Sequence, residues 1–268
     1  ISKQLGDGKL MSQLIKKKVI YDFRQEDIAN KGQGAPLAPI FHNLLSNNIN
    51  QKYKINFPIC FLNIGGISNI TKIIKKDGKL DENLEAFDSG PGNCMIDYWI
   101  RKNSNNNFDE NGSIAKSGKI NKLVLNQAID NFKINSFDKS LDVKDFDISF
   151  ARGLSLEDGC ATITNFTAYL IAKGIEHANG SNIKPIKYLV CGGGRKNTFL
   201  IQSIKNYLLH KENISLNSID DYNLNGDFIE SQAFGYLSIR SFLKLPISYP
   251  KTTGCEIATV GGKLVSNF

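Results

Sequence analysis

Runs of apolar residues near residues 57–87 predict a β-hairpin followed by a third strand. Phe57–Ile64 and Ile67–Ile74 are rich in β-forming residues and are separated by Gly65-Gly66, the signature of a hairpin with a two-glycine turn. A second turn is predicted at Lys76–Lys79. The next apolar stretch, Leu84–Phe87, predicts a third strand of the same sheet.

Helical periodicity dominates the rest of the chain and alternates with short strands. The predicted helices cover residues 93–101, 114–132, 157–177, 197–210 and 228–243, and the predicted strands cover residues 187–191 and 214–216. The turn Ser89–Gly92 precedes the first of these helices, and Pro246 ends the last. This order predicts an α/β protein with a mixed sheet flanked by helices.

One polar stretch interrupts the apolar pattern before the hairpin. Residues Ser46–Asn56 are rich in asparagine and contain few apolar positions. Such a composition is typical of a surface loop or of a boundary between domains. We therefore predict a domain boundary close to residue 50.

The composition favours a folded protein that binds neither nucleic acid nor a membrane. Of the 268 residues, 41% are hydrophobic and 22% are charged, which argues against disorder. The net charge is +7, but the lysines are scattered, and the longest basic run, Lys16–Lys18, leads directly into apolar residues. No apolar run reaches the roughly 18 residues of a membrane span. The first residues, Ile1–Gln4, contain neither an initiator methionine nor an apolar leader core, so we interpret them as the start of a truncated chain.

Cysteines and histidines are placed as structural residues. The five cysteines form no CxxC pair and are odd in number, which argues against a disulfide framework and against a zinc site. Unpaired thiols favour the reducing cytoplasm as the location. His42 lies in a helical pattern, where we expect a packed or capping group rather than a metal ligand.

Two motifs near the hairpin combine glycines with a strand end. The segment Asn63–Asn69 contains the Gly65-Gly66 turn, whose backbone N–H groups could face a phosphate, although an ordinary hairpin explains the pattern equally well. Asp88 ends a predicted strand immediately before Gly90-Pro91-Gly92. It is either a turn cap or a general base held on a rigid strand and directed into a cleft.

A third motif, Val190–Asn197, follows a buried strand and opens a helix. Its glycines, Gly192–Gly194, would let a nucleotide approach the backbone. A dinucleotide-binding fold is the rival interpretation, but the position of its third glycine is Asn197. The acid expected about 20 residues later, Glu212, would begin the next strand rather than end it, so we disfavour this interpretation.

Two further charged and glycine-rich stretches lie near the ends of the chain. Asp22–Ile28 follows a predicted strand end, and Gly32–Leu37 leads into a helix. Gly226-Asp227 precedes Glu230 at the start of the last long helix. Taken one at a time, each stretch fits an ordinary solvated turn.

Taken in order, the motifs resemble those of the anhydro-N-acetylmuramic acid kinase family, from about Leu5 to the C-terminus. The series is DFRQEDIANKGQGAPLAPIFH, LNIGGISN, FDSGPGN, VCGGGRKN and GDFIESQAFGYL. The resemblance implies the ribonuclease-H-like fold of the actin/hexokinase superfamily, with a partial N-terminal and a complete C-terminal domain. Residues 1–50 are then expected to be the remainder of the N-terminal domain with the interdomain segment, and residues 51–268 the C-terminal domain.

The resemblance also implies a function in peptidoglycan recycling and amino sugar catabolism. The family is a group of sugar kinases that convert ATP, water and 1,6-anhydro-N-acetylmuramic acid into ADP and N-acetylmuramic acid 6-phosphate. Ring opening and phosphorylation of O6 occur together. The expected co-substrate is ATP with Mg²⁺, and the expected assembly is a cytoplasmic homodimer.

Residue roles follow from position within the matched motifs. Asp88 is the expected base that takes a proton from the water attacking the anomeric carbon. Arg24 suits the lactyl carboxylate, because a planar guanidinium matches a carboxylate. The expected sugar-side residues are Asp22, Arg24, Gln33 and Glu230. The expected ATP-binding residues are Asn63, Gly65, Gly66, Gly90, Gly92, Gly192, Gly193, Gly194 and Asn197.

The sequence departs from the family pattern at three places. Lys31 stands where the family usually carries a small residue. After Lys139-Ser140 the family's Gly-Arg-Glu is replaced by Leu141–Asp145, in which Asp145 is the candidate replacement for the glutamate. The family's first phosphate loop is missing, so no metal ligand is assigned in this chain and the Mg²⁺ anchor is expected in an upstream segment.

We therefore expect residues 1–268 on their own to be poorly soluble and to show no kinase activity. In-line phosphoryl transfer needs donors and a metal ion on the β- and γ-phosphates. The favoured interpretation is part of an ordinary kinase, because Asp88, Glu230 and both glycine loops are retained together. The alternative is an inactive nucleotide- or sugar-binding remnant of the same family.

Overall fold

The computed structural model describes residues 6–75, 79–132, 137 and 139–268. The first residues, Ile1–Gln4, and the turn predicted at Lys76–Lys79, except for Lys79, lie outside the described residues. Within the described residues the helices are α1 (Gly8–Ile15), α2 (Gln25–Ala29), α3 (Pro39–Tyr53), α4 (Leu80–Asn83), α5 (Cys94–Asn103), α6 (Ser113–Ser117), α7 (Lys122–Asn131), α8 (Leu156–Asn179), α9 (Thr198–Tyr207), α10 (Ile229–Phe242) and α11 (Pro250–Thr253). The strands are β1 (Val19–Tyr21), β2 (Ile59–Ile64), β3 (Ile67–Ile73), β4 (Leu84–Pro91), β5 (Ile186–Cys191), β6 (Ile214–Ser218) and β7 (Lys263–Val265).

The main sheet has five strands in the order β4-β3-β2-β5-β6. The two-residue connection between β2 and β3 makes these strands a hairpin. β2 runs parallel to β5, with Ile59 opposite Lys187, and β5 runs parallel to β6. Phe61 and Leu62 of the central strand β2 are fully buried. A hairpin extended by parallel strands and flanked by helices is the ribonuclease-H-like arrangement predicted from the sequence, and the α/β class is confirmed.

The longest helix of the described residues, α8, packs against the sheet and against several shorter helices. Ser155 begins it by accepting a hydrogen bond from the Asp158 N–H. Close approach depends on small residues, since a Cβ atom at Gly174 would lie 2.5 Å from the Cβ of Ser89. Even with α8 included, no helix of the described residues has both the length and the apolar character needed to span a membrane.

The helix predicted over residues 114–132 is two helices, α6 and α7, so this prediction was wrong at its centre. Gly118 ends α6 with an extended backbone conformation. A Cβ atom at Gly118 would lie 2.1 Å from the carbonyl oxygen of Glu157, so only glycine lets the chain pass this close to the start of α8. Asn121 then begins α7 by accepting a hydrogen bond from the Val124 N–H.

The surface loop predicted at Ser46–Asn56 is largely helical, so that alternative was wrong, whereas the domain boundary near residue 50 stays a prediction. Helix α3 continues to Tyr53 and ends at Lys54, whose φ of 55° is left-handed. Ser46 and Ile49 are buried within this stretch. A helix that is mostly polar can pack through a few buried residues. The asparagine-rich composition of this stretch gave no sign of which residues these are.

The described chain folds into two compact units. Unit 1 comprises Ile1–Phe57, Thr71–Phe87 and Phe228–Phe268, and unit 2 comprises Pro58–Ile70 and Asp88–Asp227. The division into residues 1–50 and 51–268 refers to the domains that the family resemblance implies, and it stays a prediction.

His42, in α3 of unit 1, is a packed residue, as predicted. Its Nδ1 atom lies 2.9 Å from Thr71 Oγ1. Burial lowers the pKa of His42 to about 3, so the ring is neutral at pH 7.

The carboxylate of Asp27 organises the glycine-rich segment of unit 1. Asp27 is fully buried. One oxygen accepts a hydrogen bond from the Gly34 N–H at 2.7 Å, and the other accepts one from the Thr253 hydroxyl at 2.6 Å. A Cβ atom at Gly32 would lie 2.2 Å from the same carboxylate. Glycine is therefore required at position 32 by a contact inside the protein.

Replacing Asp27 with alanine is expected to lower the free energy of unfolding by about 2–5 kcal/mol. The reason is that the Gly34 N–H and the Thr253 hydroxyl would each be buried without a partner, at about 1–3 kcal/mol per group. Urea denaturation of the purified protein measures this change. The control is Asp130→Ala on an exposed position of α7, which should stay within about 0.5 kcal/mol of the wild type. Equal stability of the two variants would contradict the organising role of Asp27.

Candidate functional site

Asp88 lies in β4 shortly before the chain turns into α5. Its carboxylate is half-buried, and Oδ2 accepts a hydrogen bond from the Leu141 N–H at 2.8 Å. Burial raises the pKa of Asp88 to about 6, and the hydrogen bond from Leu141 opposes that shift. A carboxylate with this pKa is mostly ionised at pH 7 and still binds a proton readily, which suits general-base chemistry.

A buried serine on β3 holds this strand end in place. Ser68 Oγ lies 2.9 Å from Ser89 Oγ, and 3.1 and 3.2 Å from the carbonyl oxygens of Gly90 and Pro91. Gly90 has a φ of 144°, and a Cβ atom there would lie 3.2 Å from the Cβ of Leu170 in α8. Within this structure the missing side chain of Gly90 serves packing against α8.

The carbonyl groups of the glycine turn accept hydrogen bonds from the N–H groups at the start of α5. The Gly65 carbonyl accepts a hydrogen bond from the Asn93 N–H at 2.7 Å. The Gly66 carbonyl accepts from the N–H groups of Gly92 and Cys94 at 2.9 and 3.1 Å. A Cβ atom at Gly92 would lie 2.2 Å from the Gly65 oxygen. The start of α5 is therefore bound by the protein itself, and the turn is fixed beside the end of β4.

The glycine loop after β5 packs on the end of β2. Gly192 has a φ of 78°, and a Cβ atom there would lie 2.5 Å from Asn63 Oδ1 and 2.6 Å from the Ile64 carbonyl oxygen. A Cβ atom at Gly194 would lie 2.2 Å from Ile64 Cγ2. Both glycines are thus required by contacts within unit 2.

Gly66 and Gly193 differ from these glycines because their missing side chains face open space. No atom lies within 4 Å of the position that a Cβ atom of Gly66 would occupy. At Gly193 the nearest atom is Asn93 Nδ2, at 3.8 Å. These two positions are therefore where a ligand can approach the backbone of the motifs.

Arg195 ties the glycine loop to the segment that precedes α10. Its side chain is only 5% exposed. Nη1 donates to the Gly192 carbonyl at 3.0 Å and to Asp227 at 2.7 Å, and Nε donates to Asp220 at 2.7 Å. The hydrogen bond from Arg195 lowers the pKa of Asp220 to about 2. The planar guanidinium thus fixes the conformation of the loop at Gly192.

The two asparagines predicted to contact ATP have partners inside the protein. Asn197 Oδ1 accepts a hydrogen bond from the Leu200 N–H at 2.9 Å, so it caps α9. Asn63 Oδ1 accepts a weak hydrogen bond from the Cys191 thiol at 3.8 Å. Both side chains hold the loop in shape.

A cavity of about 380 Å³ opens beside Gly193, within the size range of small-molecule sites. All of its lining residues belong to unit 2. They come from α5, from the segment before α6 and from the glycine loop, and they include Asn93, Asp97, Phe108, Gly193, Lys196 and Asn197.

The segment that departs from the family pattern forms a short 3₁₀ turn over Val143–Asp145. Asp145 Oδ2 accepts a hydrogen bond from the Asp142 N–H at 2.7 Å. The carboxylate considered as a replacement for the family's glutamate therefore closes its own turn. The same segment supplies the Leu141 N–H that binds Asp88.

Two of the predicted sugar-side residues have ionic or polar partners in unit 1. Asp22 Oδ2 lies 2.7 Å from Lys263 Nζ. Arg24 Nη1 donates a hydrogen bond to the Gly34 carbonyl at 2.8 Å. Arg24 is thus anchored to the glycine-rich segment that follows it.

The other two predicted sugar-side residues, Gln33 and Glu230, are exposed in unit 1. The Gln33 N–H donates to the Thr253 carbonyl at 2.8 Å, and Glu230 lies in the first turn of α10. Lys31 has a φ of 66°, a conformation that bulky side chains disfavour, and it pairs with Glu256. The left-handed backbone explains why a small residue suits position 31.

The structure brings Asp88, the Gly65-Gly66 turn and the Gly192–Gly194 loop together in unit 2. It also adds residues that the sequence analysis did not single out. The sequence could have indicated two of them, Asn93 and Asp97, because residues four apart in a helix share one of its faces. The residues added are Ser68, Asn93, Asp97, Phe108 and Leu141.

Comparison with known proteins identifies one family. The anhydro-N-acetylmuramic acid kinase family matches residues 1–267 of this chain. An anhydro-N-acetylmuramic acid kinase of Pelagibacter ubique is 54% identical over 271 residues, which cover 100% of this chain and 70% of the relative. The kinase of Brucella canis is 37% identical over 98% of this chain and 68% of its own length. That of Zymomonas mobilis is 38% identical over 97% of this chain and 67% of its own length.

Among solved structures, the chain is similar to the activator of the 2-hydroxyisocaproyl-CoA dehydratase from Clostridium difficile with bound ADPNP. The similarity covers 74% of this chain and 66% of that chain, with a TM-score of 0.41 and 14% sequence identity. It is too distant to support an argument about the site.

Gly92→Ala is expected to lower the free energy of unfolding by about 1–3 kcal/mol, because the added methyl group would overlap the backbone oxygen of Gly65. The matched control is Gly66→Ala, whose methyl group would enter open space and should cost less than about 1 kcal/mol. Thermal and urea unfolding of both variants measure the difference. A Gly92→Ala protein as stable as the control would show that the turn is not held tightly against α5.

Proposed function

This chain belongs to the anhydro-N-acetylmuramic acid kinase family, and we propose that it opens 1,6-anhydro-N-acetylmuramic acid and phosphorylates its O6 atom with ATP. The products are ADP and N-acetylmuramic acid 6-phosphate. The observation that carries the chemistry is the half-buried carboxylate of Asp88, which lies in β4 within the same compact unit as both glycine loops.

Asp88 acts as the general base in the proposed reaction. It takes a proton from a water molecule as the water oxygen forms a bond to the anomeric carbon. The bond between that carbon and O6 breaks, and the O6 oxygen attacks the γ-phosphorus as the bond to the ADP oxygen breaks. The second hydrogen of the water stays on the new anomeric hydroxyl group.

The environment of Asp88 supports this role in two ways. The Leu141 N–H holds one carboxylate oxygen, which orients the other. Burial brings the pKa of Asp88 to about 6, close to the pH at which a cytoplasmic enzyme works. A base whose pKa lies near the working pH is ionised before the reaction and still accepts a proton effectively.

ATP is proposed to approach the backbone at Gly66 and Gly193, whose missing side chains leave open space. The turn at Gly66 would face the phosphates and the loop at Gly193 the adenosine. Most of the other predicted ATP-binding residues contact the protein itself and hold the two loops in their conformation. They do so through packing or capping, and they are Asn63, Gly90, Gly92, Gly192, Gly194 and Asn197. Gly65 supports them through its carbonyl, which accepts from α5.

Mg²⁺ accompanies ATP in the proposed reaction and would neutralise charge on the transferred phosphoryl group. Among the described residues, no three His, Cys, Asp or Glu side chains are grouped so that they could hold a metal ion. Because Mg²⁺ is usually held by only one or two carboxylates together with nucleotide phosphates, the proposal assigns it no ligand among these residues.

The sugar is proposed to bind to Asp22, Arg24, Gln33 and Glu230. Arg24 is the proposed partner of the lactyl carboxylate, because its remaining N–H groups form the planar fork that such a group requires. The hydrogen bond from Arg24 to Gly34 supports this role, since it anchors one end of the guanidinium.

A cytoplasmic homodimer completes the proposal. All five cysteines are buried and free of disulfides, which agrees with a reducing compartment. The dimer rests on family membership alone, and light scattering of the purified protein tests it.

Asp88→Asn is expected to reduce kcat by about 10²-fold or more while leaving the ATP affinity within about twofold. The wild-type kcat/KM should fall about tenfold per pH unit below pH 6, because the base must be ionised. Phosphorylation assays and calorimetry on the protein, extended to the full length of its relatives, measure these effects. Asp130→Asn is the control and should leave activity unchanged.

Stability separates this loss from unfolding. A raised pKa means that the folded state binds the Asp88 proton more tightly, so the wild type loses stability as the pH rises from about 4 to 6. The asparagine variant should lack that loss and be at least as stable at pH 7. Near-wild-type turnover by a folded Asp88→Asn variant would disprove the assignment.

Gly193→Val should weaken ATP binding by at least about tenfold and sugar binding much less, since a branched side chain would fill the approach to the backbone. Gly235→Val is the matched control, because Gly235 also faces open space but does not line the cavity. Calorimetry with ATP and with the sugar measures both affinities. Unchanged nucleotide affinity in a folded Gly193→Val variant would show that the loop is purely structural.

A further inference from the structure

The cavity beside Gly193 carries a surplus of negative charge. Asp97, Asp109 and Glu110 line it, together with the single lysine Lys196. The ammonium group of Lys196 is already paired with Asp227 at 2.7 Å. Phosphate groups are repelled by such surroundings, whereas an uncharged group that carries hydrogen-bond donors is attracted.

Asp97 is the half-buried carboxylate of this cavity to which no described residue donates a hydrogen bond, whereas Glu110 is exposed to solvent. Both oxygens of Asp109 accept hydrogen bonds from the N–H groups of Ile114 and Ala115, so Asp109 serves the start of α6. Asp97 is half-buried, and no hydrogen bond to its side chain comes from any other described residue. Burial raises the pKa of Asp97, and the nearby charge of Asp109 adds to this shift, whereas the positive charge of Arg101 opposes it.

Phe108 supplies an aromatic face at the same cavity. Its side chain lines the cavity and is 56% exposed, so the ring is accessible to a ligand in the cavity. Gly193 lines the same cavity, and because it has no side chain, a ligand can approach its backbone closely. A flat apolar ring system fits between such groups.

We propose that this cavity selects ribonucleotides, with Asp97 accepting hydrogen bonds from the vicinal 2′- and 3′-hydroxyl groups of the ribose and Phe108 stacking on the base. The inference rests on the proposed function, and it deepens it by naming what sets nucleotide specificity. A carboxylate binds a vicinal diol with both oxygens, so loss of either hydroxyl leaves the charge partly uncompensated. Stacking on Phe108 depends little on the identity of the base, so selectivity for the sugar exceeds selectivity for the base.

The test compares ATP, 2′-deoxyATP and 3′-deoxyATP by calorimetry on the protein extended to the full length of its relatives. The wild type is expected to bind ATP about tenfold or more tightly than either deoxynucleotide. Asp97→Ala should weaken ATP binding by about tenfold and leave the deoxynucleotides nearly unchanged, so that the preference falls to within about twofold. Asp130→Asn is the control and should keep the wild-type preference.

A second variant separates the two contacts. Phe108→Ala should weaken all three nucleotides by about tenfold and keep the ratio between them, and Phe108→Tyr should restore the affinity. This variant also decides the matter if Asp97→Ala does not fold, because equal affinity of wild type and Phe108→Ala for every nucleotide would place the nucleoside elsewhere.

The outcomes distinguish this inference from the function on which it rests. If the wild type binds ATP and phosphorylates the sugar, but the preference for ribose is absent or survives in Asp97→Ala, the ribose assignment is wrong and the kinase function stands. If the wild type neither binds ATP nor phosphorylates the sugar, the proposed function fails, and the inference fails with it.

Discussion

Three backbone hydrogen bonds from the start of α5 to the carbonyl groups of Gly65 and Gly66 are the constraint on which the site of unit 2 depends. They join the hairpin turn to the segment that follows Asp88, so Asp88 and the turn cannot move independently. They also require Gly92, since any side chain there would overlap the Gly65 oxygen. Because the helix N-terminus is bound by these carbonyls, its positive end is compensated by the protein rather than by a ligand.

The same packing gives Asp88 its chemical character at the expense of stability. Ser68 and the close approach of α8 through Gly174 hold the end of β4 inside the protein. Burial of the carboxylate raises its pKa, which means that the ionised form is disfavoured in the folded state. A poorly compensated charge at neutral pH lowers the stability of the fold in that pH range, and it suits the general-base role proposed for Asp88.

The glycines of the two loops cannot be told apart from the sequence, but their surroundings in the structure differ. Gly192 and Gly194 allow the loop to lie against Ile64, and Arg195 fixes it there, whereas Gly66 and Gly193 leave space for a ligand. The cavity next to Gly193 then adds charge and an aromatic surface to that space. In our proposal, the loop positions the nucleotide, and side chains outside the loop decide which nucleotide is accepted.

By itself, the sequence determined the family, the succession of strands and helices along the chain and the position of Asp88 just before Gly90-Pro91-Gly92, because these depend on local pattern and on motifs in a set order. It misjudged residues 114–132 and Ser46–Asn56, where the deciding contacts come from elsewhere, such as the Glu157 carbonyl that excludes a side chain at Gly118. The tertiary structure alone decided which glycines face the protein and which face open space, and that Asp97 and Phe108 share a cavity with Gly193. Both findings depend on contacts between residues that are far apart in the chain, and a local sequence pattern does not specify such contacts.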